Sequence, residues 1–114
     1  YDANDESLHS MAEAYTRIYI NTCLSNKVEV LLNIMEKGKI DGTIYHLNRS
    51  CKLMSFLNVE TAEIIKEANG KPYVSFDGDQ TDPRVFSEAQ FETRIQALVE
   101  MMEKNKELKR RGDL

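Results

Sequence analysis

The sequence has little of what marks disordered, disulfide-linked or membrane-spanning chains. Among its 114 residues are only two prolines, five glycines and two cysteines, and tryptophan is absent. So little proline and glycine argues against a disordered or collagen-like chain. Two cysteines are too few for a disulfide framework, which makes a reducing cytoplasm the expected compartment. No apolar run approaches the roughly 20 residues of a membrane-spanning helix, so we predict no membrane association.

An excess of positive charge is missing as well. The formal net charge is −4, whereas nucleic-acid-binding domains usually carry a basic surface. We therefore predict no nucleic-acid partner. Lysines and arginines do cluster between residues 104 and 111, where they suit the negative end of a helix dipole. The first ten residues contain neither a basic leader nor an apolar segment, which argues against a secretory signal.

The length fits one domain with a single core. Because the chain starts on a polar segment without methionine, we expect a fragment or processed piece of a larger protein. We divide it into an N-terminal helix and linker over residues 1–25 and an α/β core over residues 26–114.

Apolar residues at helical spacing predict four helices. The first spans residues 5–22 with Asn4 or Asp5 as its cap. Its stripe, expected to be half-buried, comprises Leu8, Met11, Ala12, Tyr15, Ile18 and Tyr19. The β-branched and aromatic run RIYI favours a short extended piece near residues 17–22 as the alternative. The second helix spans residues 26–37 and is predicted to end at a left-handed Gly38.

The other two helices each follow a predicted strand. The third begins after Cys51 in two parts, the second capped by Asn58, and ends at Asn69-Gly70. The last opens with a capping box, Ser87-x-x-Gln90. Its apolar stripe is the most regular in the chain and comprises Phe91, Ile95, Leu98, Val99 and Met102.

Two short apolar segments predict buried strands: TIYHLN, which follows a turn at Asp41-Gly42, and YVSF, which follows Pro72. Strands alternating with helices imply a parallel pair joined by a right-handed crossover. The predicted fold is therefore α/β, a Rossmann-like or flavodoxin-like parallel sheet fragment with helices on both faces. Since two strands make a poor sheet, RIYI or a neighbouring domain should extend it.

Cys51 is the residue best placed for chemistry. It lies in a predicted strand-to-helix turn, where open α/β proteins place ligand sites. Asn48, Arg49 and Ser50 precede it and Lys52 follows, and this polar, electropositive setting favours a thiolate. Three functional roles stay open for Cys51: a nucleophile, a redox thiol and a metal ligand. The structural alternative is that Cys51 is a small, buried apolar residue. Because no CxxC pair is present, one cysteine cannot by itself hold zinc or an iron–sulfur cluster.

The second cysteine and the two histidines have structural interpretations that we favour. Cys23 follows an apolar stripe and is interpreted as a packing residue. His9 is interpreted as solvated. His46 lies inside a strand and is interpreted as a hydrogen-bonded structural residue, with a His46–Cys51 catalytic pair as the alternative.

An acidic loop after the second strand resembles a calcium-binding loop only in part. Asp77, Asp79 and Glu88 have the spacing of positions one, three and twelve of an EF-hand. The sixth position needs glycine but is Asp82, and Pro83 follows. We therefore predict that this loop binds no calcium.

Polar residues at the start of the last helix are a further candidate. Gln90, Thr93 and Arg94 fall on one side of its first turns, away from the apolar stripe. They form either a solvated face or a wall of the same crevice as Cys51. A dinucleotide site or P-loop is not indicated, because no GxGxxG or GxxxxGK[ST] motif is present.

Two long and unusual runs carry a family resemblance: DGTIYHLNRSCK, and SFDGDQTDPRVFSEAQFETRIQALVEMM. They resemble the C-terminal domain of the 2-hydroxyacyl-CoA dehydratases, which include the 2-hydroxyglutaryl, 2-hydroxyisocaproyl and phenyllactyl-CoA enzymes of anaerobic amino-acid fermentation. The match runs from about residue 27 to 104, and HLNRSC is closer to the alpha subunit of these heterodimers.

The resemblance implies an oxygen-sensitive lyase in which each subunit holds a 4Fe-4S cluster through three cysteines. Cys51 matches the last of the three, the other two lie outside this chain, and Cys23 matches none. Asn48, Arg49, Ser50, Gln90 and Arg94 are candidates to surround the cluster. No catalytic acid or base is carried over, so the chain alone is expected to be inactive.

The implied reaction removes water from an (R)-2-hydroxyacyl-CoA to give an (E)-2-enoyl-CoA through a ketyl radical. The implied partners are the rest of the same subunit, the beta subunit, and an ATP-dependent iron–sulfur activator that injects one electron. The alternative is a non-catalytic α/β interaction module in which Cys51 is structural.

Overall fold

The computed structural model describes residues 5–112, so the predicted cap at Asn4 lies outside the described residues. Within them the order of elements is α1 (Asp5–Thr16), α2 (Leu24–Lys37), β1 (Thr43–Asn48), α3 (Lys52–Asn69), β2 (Tyr73–Gly78) and α4 (Glu88–Arg111). Short 3-10 turns lie at Tyr19–Asn21 and Pro83–Val85.

The two strands pair in parallel, with Thr43 opposite Tyr73 and Asn48 opposite Gly78. Helix α3 connects them, and helices lie on both faces, which confirms the predicted α/β fold. The segment RIYI does not extend the sheet, because its last residues form a 3-10 turn. Within the described residues the sheet has only these two strands, so both of its edges are open. As a result β1 is half-buried, whereas it was predicted to be buried.

Aromatic rings fix the sheet and attach α4 to it. Tyr45 meets Tyr73 edge-on, with ring centroids 5.7 Å apart. On the paired strands, the His46 ring stacks on Phe76 at 5.0 Å. Phe91 of α4 then contacts Phe76 edge-on, also at 5.0 Å. These contacts place the start of α4 beside the carboxyl half of β2.

The core is small and is centred between α2 and α3, where Val28, Met35 and Ile65 form one cluster. The buried apolar side chains are Val28, Met35, Ala62, Ile65, Val74 and Leu98. Helix α3 runs without a break, so the prediction of two parts was wrong. Instead of capping a second helix, the Asn58 amide donates to the main-chain carbonyl of His46 at 3.2 Å and ties α3 to β1.

Two helix ends differ from their predictions. Gly38 is right-handed, and Lys39 takes the left-handed conformation with φ 50°. The Ile40 amide donates to the Met35 carbonyl at 2.9 Å, which is the Schellman ending moved one residue along the chain. At α4, Ser87 is the N-cap as predicted, but its side chain makes no capping hydrogen bond, so the capping box does not form. Gly70 is left-handed as predicted.

The first helix is shorter and more exposed than predicted. It ends at Thr16, where the Asn21 side-chain amide donates to the Tyr15 carbonyl at 2.9 Å and the chain turns. Its apolar stripe is not half-buried: Leu8 is 56% exposed and Tyr15 is 60% exposed. A helix of 12 residues is marginal without a packed face.

The chain as a whole has more surface than its size requires. Its accessible area is 8791 Å², whereas a folded monomer of this mass exposes about 6,400 Å². The radius of gyration is 18.2 Å, against about 13 Å for a compact domain of this length.

Candidate functional site

The turn between β1 and α3 is shaped by Asn48. Its side-chain oxygen accepts from the Ser50 amide at 3.3 Å. Its carbonyl accepts from the Cys51 amide at 3.0 Å and from the Ser55 hydroxyl at 2.8 Å. Asn48 therefore links the last residue of the strand to the first turn of the helix, and it fixes the backbone of Cys51.

Three contacts join this turn to the loop that follows β2. The Arg49 amide donates to the Gly78 carbonyl at 2.9 Å, and the Arg49 guanidinium lies 3.6 Å from the Asp77 carboxylate. The Ser50 hydroxyl donates to the Asp79 carboxylate. The carboxyl ends of the two parallel strands thus form one polar edge around Cys51.

Hydrogen bonds hold Asp79 in its charged form. The Ser50 hydroxyl, followed by the amide and hydroxyl of Thr81, lowers the pKa of Asp79 well below its usual range. In the same loop the Arg84 guanidinium donates to both carboxylate oxygens of Asp82 at 2.8 Å and lowers the pKa of that carboxyl. Sequence analysis missed the Ser50–Asp79 contact, although both residues follow neighbouring strand ends.

Cys51 is the N-cap of α3 and is half-buried. No hydrogen bond to its sulfur is present among residues 5–112, and none joins it to His46, whose ring is held by stacking on Phe76. The prediction of a hydrogen-bonded His46 was therefore wrong. His9 is exposed, in keeping with its interpretation.

Cys23 is exposed, so its interpretation as a packing residue was wrong. It is the N-cap of α2, and its sulfur lies 3.0 Å from the Ser25 hydroxyl. This contact, with the Asn26 amide, lowers the pKa of the Cys23 thiol. The signal in the sequence was its position directly before an amphipathic helix.

Gln90 and Arg94 line a cavity of about 150 Å³ at the strand ends, together with Leu47, Ser75, Phe76, Asp77, Ser87 and Phe91. Cys51 does not line this cavity. Thr93 donates to the Ala89 carbonyl within the helix at 2.8 Å. The predicted polar face thus approaches the strand ends through Gln90 and Arg94, at Asp77 rather than at Cys51.

A second, more open cavity lies on the other side of Asp77. It has a volume of about 620 Å³ and is lined by Leu47, Arg49, Lys52, Ser55, Phe56, Val59 and Asp77. Sequence analysis did not single out Phe56. The described residues contain no group of three or more histidine, cysteine, aspartate or glutamate side chains placed to bind a metal.

No helix within residues 5–112 has both the length and the apolar character needed to cross a bilayer.

The chain is similar in sequence to a known protein family and to several of its members. The family described as 2-hydroxyglutaryl-CoA dehydratase, D-component, matches residues 1–102. The alpha subunit of lactoyl-CoA dehydratase from Anaerotignum propionicum is 88% identical over 105 residues, which are 92% of this chain and 25% of that subunit. The alpha subunit of (R)-2-hydroxyisocaproyl-CoA dehydratase from Clostridioides difficile is 49% identical over 110 residues, 96% of this chain and 26% of that subunit.

A more distant relative carries a different name. One of the subunits of benzoyl-CoA reductase from Thauera aromatica is 28% identical over 106 residues, 93% of this chain and 24% of that relative. The chain thus spans about a quarter of the length of the curated relatives it matches. Because the family match covers nearly all of the α/β unit described above, including both strands and the Cys51 turn, the chain belongs to the 2-hydroxyglutaryl-CoA dehydratase D-component family.

Proposed function

We propose that this chain is part of the alpha subunit of an (R)-2-hydroxyacyl-CoA dehydratase, and that Cys51 is one ligand of a 4Fe-4S cluster whose other ligands lie outside the chain. The relatives' names support the dehydratase and the subunit. The observation that carries the ligand assignment is the position of Cys51 at the polar edge formed by both strand ends. Lactoyl-CoA is the first substrate to test, since the relative at 88% identity is named for it.

The residues present suit one cluster ligand. Cys51 is half-buried rather than enclosed. It is the N-cap residue of a helix of 18 residues, so its backbone is held at the point where the turn after β1 enters α3. A cluster requires more than one sulfur ligand, which agrees with a chain that covers a quarter of its relatives.

The neighbours of Cys51 would hold this ligand in place. Asn48 fixes its backbone, while Arg49 and Ser50 tie the turn to the loop after β2. None of the three needs to touch the metal for this role. Gln90 and Arg94 lie at the same sheet edge but beside Asp77, so we assign them to the surroundings of the site and not to the cluster.

The proposed reaction eliminates water from the substrate by way of a ketyl radical and gives an (E)-2-enoyl-CoA. A bound cluster would supply the single electron that this chemistry needs. We propose as partners a beta subunit, an ATP-dependent iron–sulfur activator and the acyl-CoA substrate. This chain contributes a held thiolate and no acid or base, so it should not turn over substrate alone.

The test compares two cysteine variants of the full-length subunit after anaerobic reconstitution with iron and sulfide. We expect Cys51→Ser to lose most of its bound iron and its visible absorption, because serine does not replace a cluster thiolate. The matched control, Cys23→Ser, should keep both. Unchanged iron content in Cys51→Ser would refute the ligand assignment.

A non-catalytic interaction module with a structural cysteine is the second candidate. It predicts a buried, inert thiol at position 51. The partial exposure of Cys51 weighs against this candidate.

A further inference from the structure

Three apolar side chains on the first turns of α3 project into solvent directly after Cys51. Leu53 is 68% exposed, Phe56 is 75% exposed and Val59 is 47% exposed. Their spacing of three residues places them on neighbouring turns of one side of the helix. We call this set, Leu53, Phe56 and Val59, the α3 face. A contiguous group of exposed apolar side chains is typical of an interaction surface.

The surface beside the α3 face has the features of a protein–protein interface. Phe56 and Val59 border the open cavity of about 620 Å³, which also contains Leu47 and Ser55. Two cations stand at its rim. Arg49 is paired only across 3.6 Å with an exposed Asp77, and Lys52 has no ion-pair partner within residues 5–112. A partner that fits must therefore present apolar groups flanked by carboxylates.

The length of the related proteins, together with the chain's exposed surface, points to the occupant. The chain exposes roughly 2,400 Å² more than a folded monomer of its mass, and a permanent interface of about 2,000–5,000 Å² in total takes roughly half of that area from each partner. The relatives that this chain matches are about four times as long. The missing three quarters of the subunit are the nearest source of a covering surface, and they must also come close to Cys51 if they complete its cluster.

We propose that the α3 face is the surface on which the remainder of the same subunit packs, with Phe56 in an apolar pocket and carboxylates opposite Lys52 and Arg49. The inference rests on the proposed function, since it places the contact next to the proposed cluster ligand. It identifies the start of α3 as the place where the part of the subunit outside this chain covers the Cys51 site.

The test uses the full-length subunit, purified without its partner, and two substitutions of Phe56. Phe56→Gln keeps a good helix former but removes the apolar ring, and Phe56→Leu keeps an apolar side chain. We expect Phe56→Gln to lower the Tm by several degrees and to reduce iron per subunit, whereas Phe56→Leu stays close to the wild type. The shift should be the same at low and high protein concentration.

Two outcomes would overturn the inference. A wild-type Tm for Phe56→Gln would mean that the α3 face is a free surface. A shift seen only at high concentration, or only after the second subunit is added, would assign the face to another chain. Both outcomes are separate from the Cys51→Ser result, because loss of iron there supports the cluster ligand whether or not Phe56 is covered.

Discussion

Asn48, Ser50 and Asp79 hold the Cys51 turn without touching its sulfur. Each is a short polar side chain that satisfies main-chain groups or a neighbour across the sheet edge. Because these bonds are local and directional, they can set the position of a ligand to a fraction of an ångström. The side chains of the cationic residues that the sequence made prominent, Arg49 and Lys52, contribute less to this geometry than these three short side chains.

Replacing Ser50 with alanine should raise the pKa of Asp79. The Ser50 hydroxyl is the largest cause of the lowered value, so its loss moves the carboxyl toward the ordinary aspartate value of about 3.9. Carboxyl NMR titration of the wild type and Ser50→Ala measures the change. Asp41, whose pKa is lowered by Lys106 at a distant point, is the internal control.

The Ser50–Asp79 hydrogen bond also sets the direction in which the stability of the fold changes with pH. A carboxyl whose folded pKa is depressed stabilises the fold fully above its unfolded pKa of about 4, and this stabilisation is lost as the pH falls toward the folded pKa. Ser50→Ala should therefore lose less stability than the wild type on acidification below about pH 4. Identical titration of Asp79 in both proteins would contradict the contact.

At the scale of elements, close packing between β1 and β2 sets the sheet edge. A Cβ atom on Gly78 would lie 2.6 Å from the His46 Nε2 atom and 3.1 Å from its Cδ2 atom. The His46 ring is already stacked on Phe76, and Phe76 contacts α4. Gly78 thus leaves the space that lets one aromatic stack join both strands and a helix.

Gly78→Ala should destabilise the 114-residue chain by about 1–3 kcal/mol, the usual range for an overpacked position. In a His46→Ala background the added methyl group meets only the Phe76 ring, at an ordinary contact distance of 3.6 Å, so the loss should be much smaller. Urea unfolding of the four proteins in this cycle measures the coupling. Equal losses in both backgrounds would show that the His46 ring does not limit the space at Gly78.

Local sequence patterns predicted the elements better than their ends. Both strands, the four helices and the stop at Gly70 follow from apolar spacing and turn residues. The prediction of side-chain capping failed at Asn58 and at Ser87. Asn58 bonds to β1 instead of capping a helix, a choice made by tertiary contact that no local pattern contains.

The candidate site was predictable in position but not in its contacts. The strand-to-helix turn identified Cys51 because turn chemistry is local. The Ser50–Asp79 and Arg49–Gly78 bonds join residues 29 positions apart in the chain, so they required the strand register. The exposure of Phe56 was not predictable either, because an apolar residue on a helix gives no sign of which surface will cover it.

At the scale of the whole molecule, the chain folds as an α/β unit with much of its apolar surface uncovered. The exposed stripe of α1 and the α3 face are the clearest examples. A small core and a radius of gyration of 18.2 Å agree with a unit that gains its final stability from a larger subunit. The chain also spans about a quarter of the length of each of these relatives.

The most direct test of Cys51 as a cluster ligand is differential alkylation of the full-length subunit under anaerobic conditions, with peptide mapping of Cys51. The predicted result is that Cys51 resists the reagent while iron is bound and reacts after a chelator has removed the iron. Cys23 should give the same labelling in both samples. Equal labelling of Cys51 with and without iron, whether high or low, would contradict the account.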